Sequence, residues 1–311
     1  MPWQAEEPRG PGRLRPGLAP LKIVSMNAVT EAIRVGWQHY QAGRLPQAEQ
    51  AARDSLAAEP RNSRALDLLG SVYHAQGRLA EAAALYLEAT GQQPDFAEAH
   101  DHLGAALAGQ GKFAEAIVAF RRAIACNPGL PQTHYNLGQA LRRDGDLAGA
   151  AAALGQAARL QPNHAEAHTG LGLVLARLGR AEDAVGHFAH AARLQPRQPA
   201  AHHNLGTALL DLNRPADAVP HFQQAIALDA SRPDSQNNLG RAYRVQNQLD
   251  QAIACFARPR GSTRAQRTSK PIWLRRSSAR IGSRKQSCIF VRRPGCSQSG
   301  PECSTTLAWP W

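Results

Sequence analysis

Residues 97–130 read AEAHDHLGAALAGQGKFAEAIVAFRRAIACNPGL. Leu103 and Leu107 recur at helical spacing in the first half, and Phe113, Ala116, Ile117 and Phe120 in the second, with the polar turn Gln110, Gly111 and Lys112 between them. The pattern predicts two antiparallel amphipathic helices. Pro128 is expected to close the second, since proline has no N–H to donate and disfavours helix in the residue before it. One such pair cannot bury its apolar face alone, so it requires neighbours.

The neighbours are in the sequence. Gly36, Gly70, Gly104, Gly138, Gly172, Gly206 and Gly240 each stand 34 residues from the next. A period kept this long marks a repeat array rather than the two globular domains that 311 residues alone would suggest. With each glycine numbered position 8, the repeats begin at Val29, Ser63, Ala97, Pro131, Ala165, Pro199 and Pro233. Position 20 is then alanine throughout: Ala48, Ala82, Ala116, Ala150, Ala184, Ala218 and Ala252. Position 24 reads Ala52, Tyr86, Phe120, Leu154, Phe188, Phe222 and Phe256, and position 27 reads Ser55, Ala89, Ala123, Ala157, Ala191 and Ala225. Pro60, Pro94, Pro128, Pro162 and Pro196 share position 32, followed by Ala230. Small residues at positions 8 and 20 let two helix axes approach to ~8–10 Å, and position 24 fills the space beside the crossing.

This register resembles the tetratricopeptide repeat family over residues 29–257. The resemblance implies an all-α fold, a right-handed superhelical solenoid of antiparallel helix pairs. Seven repeats are expected at 29–62, 63–96, 97–130, 131–164, 165–198, 199–232 and a truncated 233–257, between disordered terminal segments at 1–28 and 258–311. In the seventh, Pro259 takes the place of the small residue at position 27, so its second helix is expected to stop near Ala257 or Arg258. With no capping helix behind it, Leu239, Tyr243, Ile253 and Phe256 are expected to stay partly exposed, an end through which copies of the chain could associate.

Net charge of +12 suggests a nucleic-acid or membrane binder until its location is read. The excess is +2 over residues 1–28, −1 over 29–257 and +11 over 258–311. The last stretch turns abruptly to Arg, Ser, Pro, Cys and Trp and holds too few aliphatic residues for a core. Two readings of it stand. One is a phosphate-binding arm, with basic pairs at Arg275 and Arg276, Arg284 and Lys285, and Arg292 and Arg293, interleaved with Trp273 and Phe290. The other is a lost reading frame near codon 258: an Ala-, Gly-, Arg- and Pro-rich chain implies a GC-rich gene whose other frames give such residues, and the switch falls in mid-helix. Met26, the only methionine besides Met1, opens directly into the first repeat and is a second candidate start. No apolar run reaches the ~18 residues of a membrane span, and Leu18 to Val24 is too broken for a secretory signal. A soluble, cytoplasmic protein is expected. The five cysteines form neither a disulfide framework nor close zinc-binding pairs.

Twelve histidines invite a metal site, but His100, His134, His168 and His202 all occupy position 4, about one helix-pair width apart, too far to share one ion. They read as structural. His187 and His190, three apart, lack further ligands, so no metal and no cofactor is expected. Neither a phosphate loop nor a nucleophile elbow is present, and the sequence carries no catalytic constellation.

What remains is the groove. In the family the concave surface is lined by positions 2, 5, 6, 9, 12 and 13 of each first helix, and the resemblance implies that partners bind there. Repeat four offers Tyr135, Asn136, Gln139, Arg142 and Arg143; repeat six offers His203, Asn204 and Thr207; repeat seven offers Asn237, Asn238, Arg241 and Arg244. Asn136, Asn204 and Asn238 share position 6, where an amide supplies a donor and an acceptor to a peptide backbone of any sequence. This is similar to the asparagine ladder in the repeat half of O-linked N-acetylglucosamine transferases, although Arg34, Leu68, His102 and Gly170 interrupt it here. The arginines suit carboxylates. The carboxylate clamp of chaperone-binding relatives is not expected, because Ile33 and Trp37 stand at its positions in repeat one.

The expected function is a non-enzymatic scaffold that holds an extended peptide or partner protein in the groove. One alternative is the substrate-recognition half of a larger glycosyltransferase or sulfotransferase whose catalytic domain is missing. A second is a nucleic-acid tether through the basic tail, which a lost reading frame near codon 258 argues against.

Overall fold

The structure, a computed structural model, describes residues 26–257. Residues 26–28, expected to belong to the disordered leader, are helical instead. The disorder expected for 1–25 and 258–311 and the basic clusters of the tail lie outside the described residues. The described residues form fourteen helices and no strand. The first helix of each pair is α1 (Met26–Gln41), α3 (Ser63–Ala75), α5 (Ala97–Gly109), α7 (Pro131–Asp144), α9 (Ala165–Arg177), α11 (Pro199–Asp211) and α13 (Pro233–Val245). Their partners are α2 (Leu45–Ala58), α4 (Leu79–Gln92), α6 (Phe113–Cys126), α8 (Leu147–Leu160), α10 (Ala181–Leu194), α12 (Pro215–Leu228) and α14 (Leu249–Phe256). Each helix packs on its chain neighbours, and successive first helices also touch one another, whereas successive second helices do not. The array is a helical solenoid with the first helices on its inner side.

The turn inside each pair depends on one left-handed residue at position 15. Gly43, Gly77, Gly111, Gly145 and Gly179 have φ between 72° and 100°, and Asn213 and Asn247 take φ of 55° and 58° in the last two repeats. Asparagine is one of the few residues with a side chain that visits this region routinely. The reversal is closed by backbone bonds such as Lys112 N to Leu107 O at 3.0 Å, a Schellman-type end.

The proline at position 32 does not by itself decide where the second helix stops. Helices α2, α4, α6, α8, α10 and α12 all end at position 30, and α12 does so with Ala230 in place of proline. What recurs instead is a clasp between repeats. The position-4 histidines donate from Nε2 to the carbonyl of the preceding position 32: His100 to Pro94 at 3.0 Å, His134 to Pro128 at 3.0 Å, His168 to Pro162 at 3.1 Å and His202 to Pro196 at 2.9 Å. Where proline is lost, Gln236 Nε2 reaches Ala230 O at 3.2 Å in the same way. These histidines satisfy backbone carbonyls of the linker two residues past each helix end. Proline also sits inside α12, where Pro220 removes one helical N–H from an exposed face.

Within each pair after the first, the side chain at position 24 lies under the glycine at position 8. A Cβ on Gly104 would stand 2.6 Å from Phe120 Cε1, one on Gly172 2.7 Å from Phe188, and one on Gly206 2.8 Å from Phe222. Phe120, Phe188 and Phe222 are buried, as is every alanine at position 20. Repeat one differs. Ala52 is too small to fill this place, and Leu68, from the next repeat's position 6, enters it: a Cβ on Gly36 would meet Leu68 Cδ2 at 2.5 Å. A groove position has thus been spent on the core. At the far end, Leu239 is buried, contrary to expectation, because it joins the apolar core that contains Leu205, Leu209, Ala218 and Phe222, and Tyr243 is partly covered with its hydroxyl held by Gln223 Nε2 at 2.9 Å. Ile253 and Phe256 are exposed as expected, at 45% and 50%, together with Val245 and Leu249.

Candidate functional site

The inner face presents side chains from consecutive first helices, and their residue types divide it into two hollows. Helix α5 carries Ala105, Ala108 and Gly109 at positions 9, 12 and 13, so beside α7 the floor is low. The result is a cavity of about 650 Å³ lined by these residues, Phe113 and Phe120, and by Tyr135, Asn136, Gln139, Arg142 and Arg143. All five groove residues expected in repeat four therefore come together. Their polar groups are already organised. Arg142 donates from Nε and Nη2 to Gln139 Oε1 at 3.1 and 2.8 Å, Gln132 Nε2 donates to Asn136 Oδ1 at 3.0 Å, and Asn136 Nδ2 reaches Asp101 Oδ1 at 3.3 Å. Burial pushes the Asp101 carboxyl above its usual range, against the opposing pull of His102, Asn136 and Thr133. Tyr135 packs against the ring of His164 with centroids 5.0 Å apart. Arg143 is exposed.

The residues expected in repeats six and seven lie on α11 and α13 as a strip. Asn238 Nδ2 donates to Thr207 Oγ1 at 3.2 Å while its oxygen accepts from Arg241 Nη1 at 3.1 Å. His203 Nδ1 meets the buried Ser235 hydroxyl at 2.9 Å, and burial lowers its pKa. Asn204 makes no side-chain hydrogen bond among the described residues. Asn237 is half-buried and Arg244 exposed. Of the three position-6 asparagines, two are thus occupied by neighbouring side chains and one is open.

Sequence reasoning missed the larger hollow. A cavity of about 730 Å³ opens between α1, α3 and α5, lined among others by Trp37, Asp67, Asp95, Phe96, Glu98 and His102. Its floor is the contact of His102 Nδ1 with Asp67 Oδ1 at 2.7 Å. Burial disfavours the charged imidazole, but the Asp67 hydrogen bond and charge, with Asp101 and Glu98 beyond, outweigh it and raise the His102 pKa. The signal was present in the sequence, since Asp67, His102 and Trp37 all occupy inner positions, but a search for asparagine passed over them.

On the flank of repeat five, His168 Nδ1 and His187 Nδ1 approach to 3.1 Å, and His190 stacks on His168 with centroids 4.2 Å apart. Among the described residues no set of three His, Cys, Asp or Glu side chains is arranged to hold a metal ion. No helix among them is long and apolar enough to cross a membrane.

Comparison with known proteins agrees with this architecture. PilW, a type IV pilus biogenesis factor, superposes with a TM-score of 0.60 at 20% identity, over 68% of this chain and 98% of its own. YrrB, a tetratricopeptide protein with an unusual peptide-binding site, gives 0.56 at 21% identity over 60% and 97%. A tetratricopeptide repeat protein from Parabacteroides merdae gives 0.54 at 16% identity over 74% and 91%. At such identities these likenesses concern the fold. No curated protein matches the sequence. Residues 27–270 match the tetratricopeptide family described as the cilia and flagella-associated protein 70 C-terminal domain, and the chain belongs to this family of repeat proteins.

Proposed function

We propose that the chain is a protein-interaction scaffold, cytoplasmic and without catalysis of its own, whose working unit is the seven-repeat array at 29–257. An extended segment of a partner protein lies along the inner face. Asn136, Asn204 and Asn238 meet its backbone, with Tyr135, Gln139, His203 and Asn237 beside them, and Arg142, Arg143, Arg241 and Arg244 meet its acidic groups. The observation that carries this reading is the cavity between α5 and α7, where five such side chains converge on a floor of small residues. A concave site with few, already oriented polar groups limits the ordering that binding requires.

The test is selection of a displayed random dodecapeptide library on the full-length chain, followed by binding of the enriched peptides to a variant carrying Asn136→Ala, Arg142→Ala and Arg143→Ala. We expect enrichment on the wild type and at least tenfold weaker binding to the variant, ~1.4 kcal/mol or more. No enrichment, or equal binding by a variant of unchanged helicity, removes the groove from this role.

A further inference from the structure

We propose that the cavity between α1, α3 and α5 receives a cationic side chain, lysine or arginine, of the segment held in the groove; the proposal rests on the groove reading and adds the partner's chemistry. The hollow of about 730 Å³ is within the size range of ligand sites and is walled by the half-buried Trp37 and Phe96. A Trp face attracts a Lys or Arg cation placed within ~6 Å of it. The ring of Trp37 is itself positioned, with Tyr40 edge-on at 5.4 Å and His102 tilted at 6.4 Å.

The charged groups around the aromatic walls are equal in number but differ in which are already paired. Asp67, Asp95 and Glu98 line the cavity against Arg34, Arg64 and His102. Arg34 is committed elsewhere, donating from Nε and Nη2 to both carboxylate oxygens of Glu31 at 2.8 and 2.5 Å. His102 is committed to Asp67 Oδ1. The Asp67 side chain is only 4% exposed, yet its second oxygen bonds none of the described residues. Asp95 has no hydrogen bond or ion pair among the described residues, and Glu98 acts on His102 only through space. Arg64, exposed at the rim, is the one guanidinium facing these groups without a partner of its own among the described residues. A buried carboxylate with an open oxygen, two rim carboxylates and an indole face form a receptor for a cation.

The test uses the peptides enriched on the full-length chain. Wild type is expected to select a lysine or arginine at one fixed register. Changing that residue to norleucine is expected to weaken binding about tenfold, ~1.4 kcal/mol. The Asp95→Asn, Glu98→Gln variant, altered only at exposed side chains, is expected to bind the lysine peptide as weakly as wild type binds the norleucine peptide, and to gain nothing from the lysine. Enriched peptides with no basic residue in register, or a lysine effect that survives in the variant, overturn this proposal and leave the groove reading standing. Failure to enrich any peptide overturns both.

Discussion

The seam inside each helix pair and the groove on its inner face are built from the same first helices, yet one repeats and the other does not. Position 8 is glycine and position 20 alanine in all seven repeats, while position 5 runs through Ile33, Asp67, Asp101, Tyr135, Thr169, His203 and Asn237 without settling. The seam is a contact between two helices of one unit, so the same geometry imposes the same residues each time. A groove side chain faces solvent for much of its surface, and packing leaves its identity open to what it must recognise. Position 6 lies between these regimes. It is asparagine after each of Phe120, Phe188 and Phe222, but His102 follows Tyr86, with rings 5.4 Å apart, Leu68 follows Ala52 and fills its space, and Gly170 follows Leu154, where a Cβ would come within 3.3 Å of Leu154 Cδ2. Apart from Arg34 in the first repeat, the gaps in the asparagine ladder coincide with changes in the previous repeat's seam.

The largest effect should come from emptying the seam. Phe188→Ala removes a side chain 2% exposed and is expected to cost ~3–5 kcal/mol, read as a lower denaturation midpoint by circular dichroism. A loss below 1 kcal/mol would show that the ring does not hold α9 against α10. Next is the odd repeat. Ala52→Phe must displace Leu68 and is expected to cost ~1–3 kcal/mol by overpacking. Adding Leu68→Asn, which recreates the combination of the other phenylalanine repeats, should recover most of that loss. If the double variant is as unstable as the sum of the two single ones, position 6 does not answer to the seam.

These comparisons also separate what could be read in the sequence from what could not. The helix pairs, their register and the burial at positions 8, 20 and 24 were legible because a seven-fold period averages away local ambiguity. Where the second helices stop was misattributed: proline at position 32 is visible as a letter, whereas the His100-to-Pro94 clasp that recurs with Gln236 and Ala230 joins residues six apart through a turn. The grouping of Tyr135, Asn136, Gln139, Arg142 and Arg143 was implied by the family resemblance, which assigns their positions to the concave face of one helix. The hollow around Trp37 and His102 did not, because it draws on three helices and the loop before α5, and its acidic character emerges only once Arg34 is seen to be neutralised by Glu31.

Smaller effects belong to the turn. Gly111→Ala forces a Cβ into φ of 79° and is expected to cost ~1–2 kcal/mol, although nothing lies within 4 Å of the added atom. The reverse change, Asn213→Gly at φ of 55°, relieves the same strain in part and should leave stability within ~1 kcal/mol of wild type. A neutral Gly111→Ala would mean that the turn tolerates a right-handed alternative.

The smallest effect tests the floor of the acidic hollow through pH. His102 has its pKa raised in the fold, so the stability it contributes is fully present below the ordinary histidine value of ~6.5 and is lost as pH rises through the higher folded value. Burial lowers the pKa of His74, His168, His187, His203 and His221, and each of these costs stability as pH falls through that ordinary value. The whole chain should therefore weaken between pH 8 and pH 5.5, and His102→Asn should weaken more steeply, because it loses the one histidine that resists acidification. The pair is partly open to solvent, with 35% of the His102 side chain exposed, so the gap between the two proteins at pH 5.5 should stay below ~1 kcal/mol. Denaturation midpoints at the two pH values decide the sign. A gap that widens toward pH 8 instead would mean that Asp67 holds the neutral imidazole, and that the floor of the hollow carries the full negative charge of its carboxylate.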